Sequence, residues 1–197
     1  MRNTVFLDLD ETLITTFPAK EMENLEEAVA NTKMRLATAY TPSGIIFRRK
    51  MLQIYQYRLQ QRELCAHLDR DLAVMRRPSA QEAINAFSSL GDVHLFTAAD
   101  LDYARTALAV AGIKIPGELY STREEAFVPA DISRTSAWVL IDDLLNGEKV
   151  RMLGEADVSK FCLQIPPLDY GSFAHPLTDF VEEACRKLMQ QQMERAV

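Results

Sequence analysis

The chain has 197 residues, 48% of them hydrophobic and 25% charged, with a net charge of −6, and a chain of that size and make-up folds without help from a metal or a disulfide. The acidic balance argues against a general role on nucleic-acid backbones, which calls for a basic face, while leaving a nucleotide substrate open. Cys65, Cys162 and Cys185 stand at no metal-ligand spacing, no stretch approaches the ~20 apolar residues of a membrane span, and no signal-peptide core opens the chain, so the expectation is a cytoplasmic protein with reduced thiols and no membrane partner.

Thr4 to Leu7 is a short apolar run of β-formers that ends at Asp8, the pattern of a strand buried on both faces. The stretch from Phe17 to Met75 is the least regular. Glu21 to Leu36 carries Met22, Leu25, Val29 and Leu36 at helical spacing, Thr41-Pro42-Ser43-Gly44 reads as a turn, and Ile45 to Leu59 fits a strand or a helix equally. A mixed insertion over residues 17–75 is expected, covering the active-site end of a single domain that runs over 1–197. Ser79 and Glu82 form a capping-box pair after Pro78, opening a helix that stops at Gly91. Val93 to Phe96 is a second buried strand, ending at Thr97. Asp100 is placed to cap a helix closed by Gly112. Glu118 to Tyr120 is a weaker strand, Ala137 to Ile141 a strong one ending at Asp142-Asp143, and Phe161 to Ile165 another weak one. The tail from His175 to Arg195 repeats Leu177, Phe180, Val181, Ala184 and Leu188 at helical spacing. Strands alternating with helices predict an α/β fold: a Rossmann-like three-layer sandwich around a parallel sheet, with a small cap after the first strand.

Three of these strands end in residues suited to phosphate chemistry, and the carboxyl ends of parallel strands converge on one edge where ligands bind. Asp8 and Asp10 stand two residues apart just past the first strand end, so both can face one crevice. A phosphate ester repels nucleophiles through its anionic oxygens. Carboxylates that hold a divalent cation offset that charge, one carboxylate can attack phosphorus in line, and a second can protonate the leaving alkoxide.

Val5-Phe6-Leu7-Asp8-Leu9-Asp10-Glu11-Thr12-Leu13 resembles the first motif of the haloacid dehalogenase-like phosphohydrolase superfamily, and the Asp-Leu-Asp-Glu-Thr-Leu wording is most similar to its C-terminal-domain phosphatase, or NLI-interacting-factor-like, branch. Arg77-Pro78 before a helix, then Leu95-Phe96-Thr97-Ala98-Ala99 and Tyr103-Ala104, resemble that branch's second block, and Val139-Leu140-Ile141-Asp142-Asp143 its last motif. The resemblance covers roughly Met1 to Gly147. It implies Asp8 as the nucleophile that forms an aspartyl-phosphate and Asp10 as general acid and base. It implies Mg²⁺ held by the Asp8 carboxylate, the Asp10 backbone carbonyl and Asp142 or Asp143. Thr97 would hydrogen-bond the phosphate, and Thr12 would help fix the first turn.

The same resemblance calls for a lysine between the second block and the last motif, and Gly117 to Asp143 contains none. Arg123 and Arg134 are the cations available there. Arg123 follows the predicted strand Glu118 to Tyr120 and should emerge at the phosphate edge, with Lys50 of the insertion as the substitute. Two functions follow. One is a phosphomonoester phosphatase acting on a phosphorylated protein side chain or a small phosphometabolite or nucleotide. The other is a catalytically weak binding module that keeps the fold and holds a partner with the insertion; the missing lysine favours it.

Overall fold

The computed structural model describes residues 2–123, 137–168 and 175–195. A five-stranded sheet forms its centre, in the order Leu119–Ser121 (β6), Gly91–Thr97 (β5), Asn3–Leu7 (β1), Trp138–Asp142 (β7) and Cys162–Gln164 (β8). Every pairing in it is parallel. The alternation along each strand divides two apolar layers, because successive side chains point to opposite faces. Val5, Leu7, Val93, Leu95, Val139 and Ile141 pack on one face with Phe87 of the helix Ala80–Leu90 (α4), Ala104 of Leu101–Val110 (α5) and Leu188 of the C-terminal helix Val181–Arg195. Phe6, Phe96, Trp138 and Leu140 pack on the other with Val150 of Gly147–Met152 (α6) and Phe161 of Val158–Phe161 (α7). Two helical layers around a parallel sheet make a three-layer α/β sandwich.

The segment between β1 and α4 holds a second, antiparallel sheet in the order Ile14–Pro18 (β2), Leu72–Arg76 (β4) and Cys65–His67 (β3), together with the helices Ala19–Glu23 (α1), Leu25–Ala37 (α2) and Pro42–Gln60 (α3). Sequence reading gave the helix over α2 and none of these three strands. Ile45 to Leu59 proves helical, and Thr41-Pro42-Ser43-Gly44 is its start: the Thr41 hydroxyl accepts from the Gly44 N–H at 3.1 Å, with Pro42 in the first turn. A proline in the first helical turn gives up only an N–H that would have been orphaned anyway, which is why turn and helix-start signals coincide here.

Two further local expectations differ from the structure. Ser79 does precede α4, but in the left-handed conformation (φ 56°) and with no side-chain capping bond. The chain leaves β4 through Arg77, whose N–H donates to the Leu13 carbonyl at 2.8 Å, and it must reverse within two residues to start α4. Asp100 likewise makes no capping bond to α5, because its carboxylate turns to Arg123 instead. No helix among the described residues is long and apolar enough to cross a membrane.

Candidate active site

The site is built where β1, β5 and β7 end together. Leu7 lies opposite both Leu95 and Ile141, so Asp8, Thr97 and Asp142 come to one edge of the sheet. Asp8 is buried, Asp142 fully so. Carboxylate oxygens of Asp8, Asp142 and Asp143 lie within 4.8 Å of one another.

Such a cluster of buried negative charge needs a cation, and the chain supplies Lys149. Its ammonium donates to Asp8 Oδ1 at 2.7 Å and to Asp142 Oδ2 at 2.9 Å, with 2% of the side chain exposed. Lys149 sits in the first turn of α6, which Asn146 opens by accepting from the Lys149 N–H at 3.1 Å. A positive charge at a helix N-terminus opposes the helix dipole, so the two carboxylates are what hold it there. Burial alone would pull the Lys149 ammonium down, but the charges of Asp8 and Asp142 outweigh it and raise its pKa. Burial pushes the Asp8 carboxyl up to about 7, Lys149 opposing the rise and Asp142 adding to it. Burial likewise raises Asp143, beside the charge of Asp142.

The expectation that a cation from Gly117 to Asp143 fills the lysine's place is corrected by this geometry. Arg123 lies on the surface, 62% exposed, with its guanidinium 3.3 Å from Asp100. Arg134 falls outside the described residues, and the ammonium on Asp8 is that of Lys149, where Lys50 was the expected substitute. Among the described residues, Lys149 is the cation that touches Asp8. Lys149 lies beyond Asp143, outside the stretch in which the resemblance calls for a lysine. The available signal was Asn146, a helix-start residue four positions past the end of β7, which places the following first turn at the same sheet edge.

The turn after β1 sets Asp10. Glu11 adopts a left-handed conformation (φ 60°), its N–H bonded to the Ile14 carbonyl at 2.7 Å, and the Leu13 N–H returns to the Leu9 carbonyl at 2.8 Å. A non-glycine residue in that region is strained by roughly 1–3 kcal/mol unless its surroundings hold it. Arg77 does the holding. Fully buried, its guanidinium donates to the carbonyls of Thr12 (2.6 Å), Glu11 (2.7 Å), Pro166 (2.6 Å) and His175 (3.2 Å). Burial lowers its pKa to about 10, still well into the charged range at neutral pH. Asp10 is half-buried, and its Oδ1 accepts from the Tyr103 hydroxyl at 2.8 Å. Burial raises the Asp10 carboxyl, opposed by that hydrogen bond and by the Lys149 charge.

The two threonines sit deep. Thr12 is fully buried, and its hydroxyl accepts from the Asp143 N–H at 3.0 Å, tying the β1 turn to the β7 turn. Thr97 Oγ1 accepts from the Ala99 N–H at 3.0 Å, which leaves its own proton free in direction to donate.

Comparison with solved structures agrees with this architecture. The chain is similar to the structure of Fcp1, an essential RNA polymerase II CTD phosphatase, at 17% identity and a TM-score of 0.50, over 98% of this chain and 51% of that one. It is also similar to a haloacid dehalogenase-like family hydrolase from Xanthomonas campestris at 13% identity and a TM-score of 0.51, over 98% of both chains. The chain has the haloacid dehalogenase-like fold. It spans about half the length of the Fcp1 chain it matches. No family model and no curated protein sequence matches it.

Proposed function

We propose that this chain is a metal-dependent phosphomonoester phosphatase with Asp8 as its nucleophile. The observation that carries the reading is the Asp8 carboxylate at the carboxyl end of the central strand, held through one oxygen by a buried lysine and bordered by two further carboxylates. Three carboxylates with oxygens this close suit a hard divalent cation, which favours oxygen ligands. Mg²⁺ would be held by the Asp8 carboxylate, the Asp10 backbone carbonyl and Asp142 or Asp143, and when bound it would neutralise charge on the transferred phosphoryl group.

The remaining steps belong to the chain's own residues. An Asp8 carboxylate oxygen attacks phosphorus while the bond from phosphorus to the leaving oxygen breaks, giving an aspartyl-phosphate and an alcohol whose oxygen takes its proton from Asp10. Asp10, now a carboxylate, accepts a proton from the water that next attacks phosphorus, and inorganic phosphate leaves with Asp8 restored. Lys149 holds Asp8 in position and offsets its charge as the dianion approaches. Thr97 donates its hydroxyl to a phosphate oxygen.

The binding-module alternative rested on an absent lysine, and Lys149 removes that support. The substrate class is a phosphate monoester. A purified sample should hydrolyse an aryl phosphate when Mg²⁺ is added, and a panel of phosphopeptides beside nucleoside and sugar monophosphates separates a protein side chain from a small metabolite. No turnover of any of these with Mg²⁺ would overturn the assignment.

A further inference from the structure

The chain as a whole is acidic, but its insertion is not. Residues 28–62 hold seven Lys and Arg and no Asp or Glu, so the remainder of a chain of net charge −6 carries −13. Two of the seven are committed inside the fold. Arg58 is buried, 2.8 Å from Glu21 and with its guanidinium over the Phe17 ring, and Arg62 pairs with Glu26 at 3.1 Å. Among the described residues no carboxylate pairs with Lys33, Arg35, Arg48 or Arg49. Phe47, Met51 and Tyr55 recur at four-residue steps along one stripe of α3, and with Arg48 they share a groove of about 440 Å³ with Arg35 of α2. Arg48 is fixed there by donating to the Arg35 carbonyl. Around the turn from α2 to α3, Met34, Tyr40, Ile46 and Phe47 are 63%, 94%, 68% and 64% exposed. Large apolar side chains grouped in this way mark an interaction surface.

We propose that this groove docks a short acidic segment of a partner protein, which seats an apolar side chain against Phe47, Met51 and Tyr55 and pairs its Asp or Glu carboxylates with Arg35 and Arg48. Guanidinium groups suit the role because their fork grips a carboxylate through two hydrogen bonds. The occupant is short because the acid-free stretch is local: a nucleic acid would run off it onto a surface that carries −13. It is a peptide rather than a lipid surface because the apolar and basic side chains line a concavity between two helices, whereas a bilayer takes up the apolar face of a helix lying on it. The site is independent of the phosphatase reading, since none of these residues belongs to the Asp8 cluster.

The test is fluorescence anisotropy with labelled synthetic peptides of Asp and Glu around a Leu and a Phe, in a small set that varies the spacing of those two. At least one should bind in the micromolar range, more weakly as salt rises, and its counterpart with Asn and Gln for Asp and Glu should not bind. Arg35→Glu should weaken binding about ten-fold and flatten the salt dependence, since it removes a charge that meets a carboxylate. Phe47→Ser should weaken binding at every salt concentration and leave the slope unchanged. Arg105→Glu, the same charge reversal on an exposed side chain of α5, should alter affinity by less than about two-fold, because salt screens a distant charge. Circular dichroism checks that each variant is folded; Arg35 and Phe47 are both exposed, so the fold does not depend on them. No binding by any of the acidic peptides, equal binding of the neutral counterpart, or an affinity that Arg35→Glu and Phe47→Ser leave unchanged overturns the proposal. So does tighter, Arg35-dependent binding to phosphatidylserine–phosphatidylcholine vesicles or to duplex DNA, which would assign the surface to those ligands instead.

Discussion

Replacing Lys149 with methionine keeps most of the side chain's volume and removes the ammonium that Asp8 and Asp142 share. Breaking a buried ion pair by deleting one partner costs about 3–5 kcal/mol, because the charges left behind have no compensation. Here two carboxylates are left, 2.7 and 2.9 Å from the missing nitrogen. The loss should depend on pH in a definite sense. The Asp8 carboxyl in the folded protein already lies near 7, above its ordinary 3.8. Such a group favours folding most fully below its unfolded pKa and loses that contribution as pH rises through the folded value. Lys149 opposes the rise, so its removal drives the folded pKa of Asp8 higher still. At pH 5 the variant relieves the clash by protonating Asp8; at pH 8 it does so only at a free-energy cost. Urea unfolding of wild type and Lys149→Met, followed by circular dichroism without added metal, should give a larger stability deficit at pH 8 than at pH 5. Turnover should drop by roughly 10²–10³-fold, the usual effect of removing one preorganised donor from a charged transition state. A variant as stable as wild type at pH 8, or a deficit that is the same at both pH values, would refute the shared-ammonium account.

Asp8→Asn should abolish turnover while retaining the circular-dichroism spectrum and a cooperative melt, since an amide is a poor nucleophile and a poor metal ligand; measurable turnover in the purified variant counts against Asp8 as nucleophile. Asp10→Asn should slow hydrolysis by roughly 10²–10⁴-fold for alkyl phosphates and by less for aryl phosphates, and equal losses would remove the general-acid role. A chelator should stop turnover, and added Mg²⁺ should restore it, without unfolding the chain; activity that survives exhaustive chelation is the contrary result. Arg123→Ala should change kcat/KM by less than about five-fold, since an exposed pair with Asp100 is worth at most ~1 kcal/mol, and a loss of a hundred-fold would return Arg123 to the site.

The central sheet was legible because its strands are buried on both faces. Continuous apolar runs such as Val5-Phe6-Leu7 and Val139-Leu140-Ile141 are costly anywhere else, and carboxylates stand at their ends. The antiparallel strands β2, β3 and β4 were not legible. Ile14–Pro18 contains two threonines and a proline, and Cys65–His67 is three residues long, so neither carries a period that local reasoning can detect. They are strands because they pair with one another, with Thr16 opposite Val74 and Ala66 opposite the same residue. Register across a sheet is a property of partners, and partners are distant in sequence.

The same division runs through the site. Sequence alone determined that Asp8, Thr97 and Asp142 meet at one edge, because parallel strands in one sheet bring their carboxyl ends together whatever the loops do. Only the tertiary structure decided which cation joins them, since a charge is chosen by distance in space: Lys149 arrives from beyond the last motif and Arg123, at the expected place in the chain, turns to Asp100. It also decided what Arg77 and Tyr103 do. Their partners, the carbonyls of Glu11 and Pro166 and the carboxylate of Asp10, come from segments up to 93 residues away, and no local pattern encodes a hydrogen bond that exists only once the chain has closed on itself.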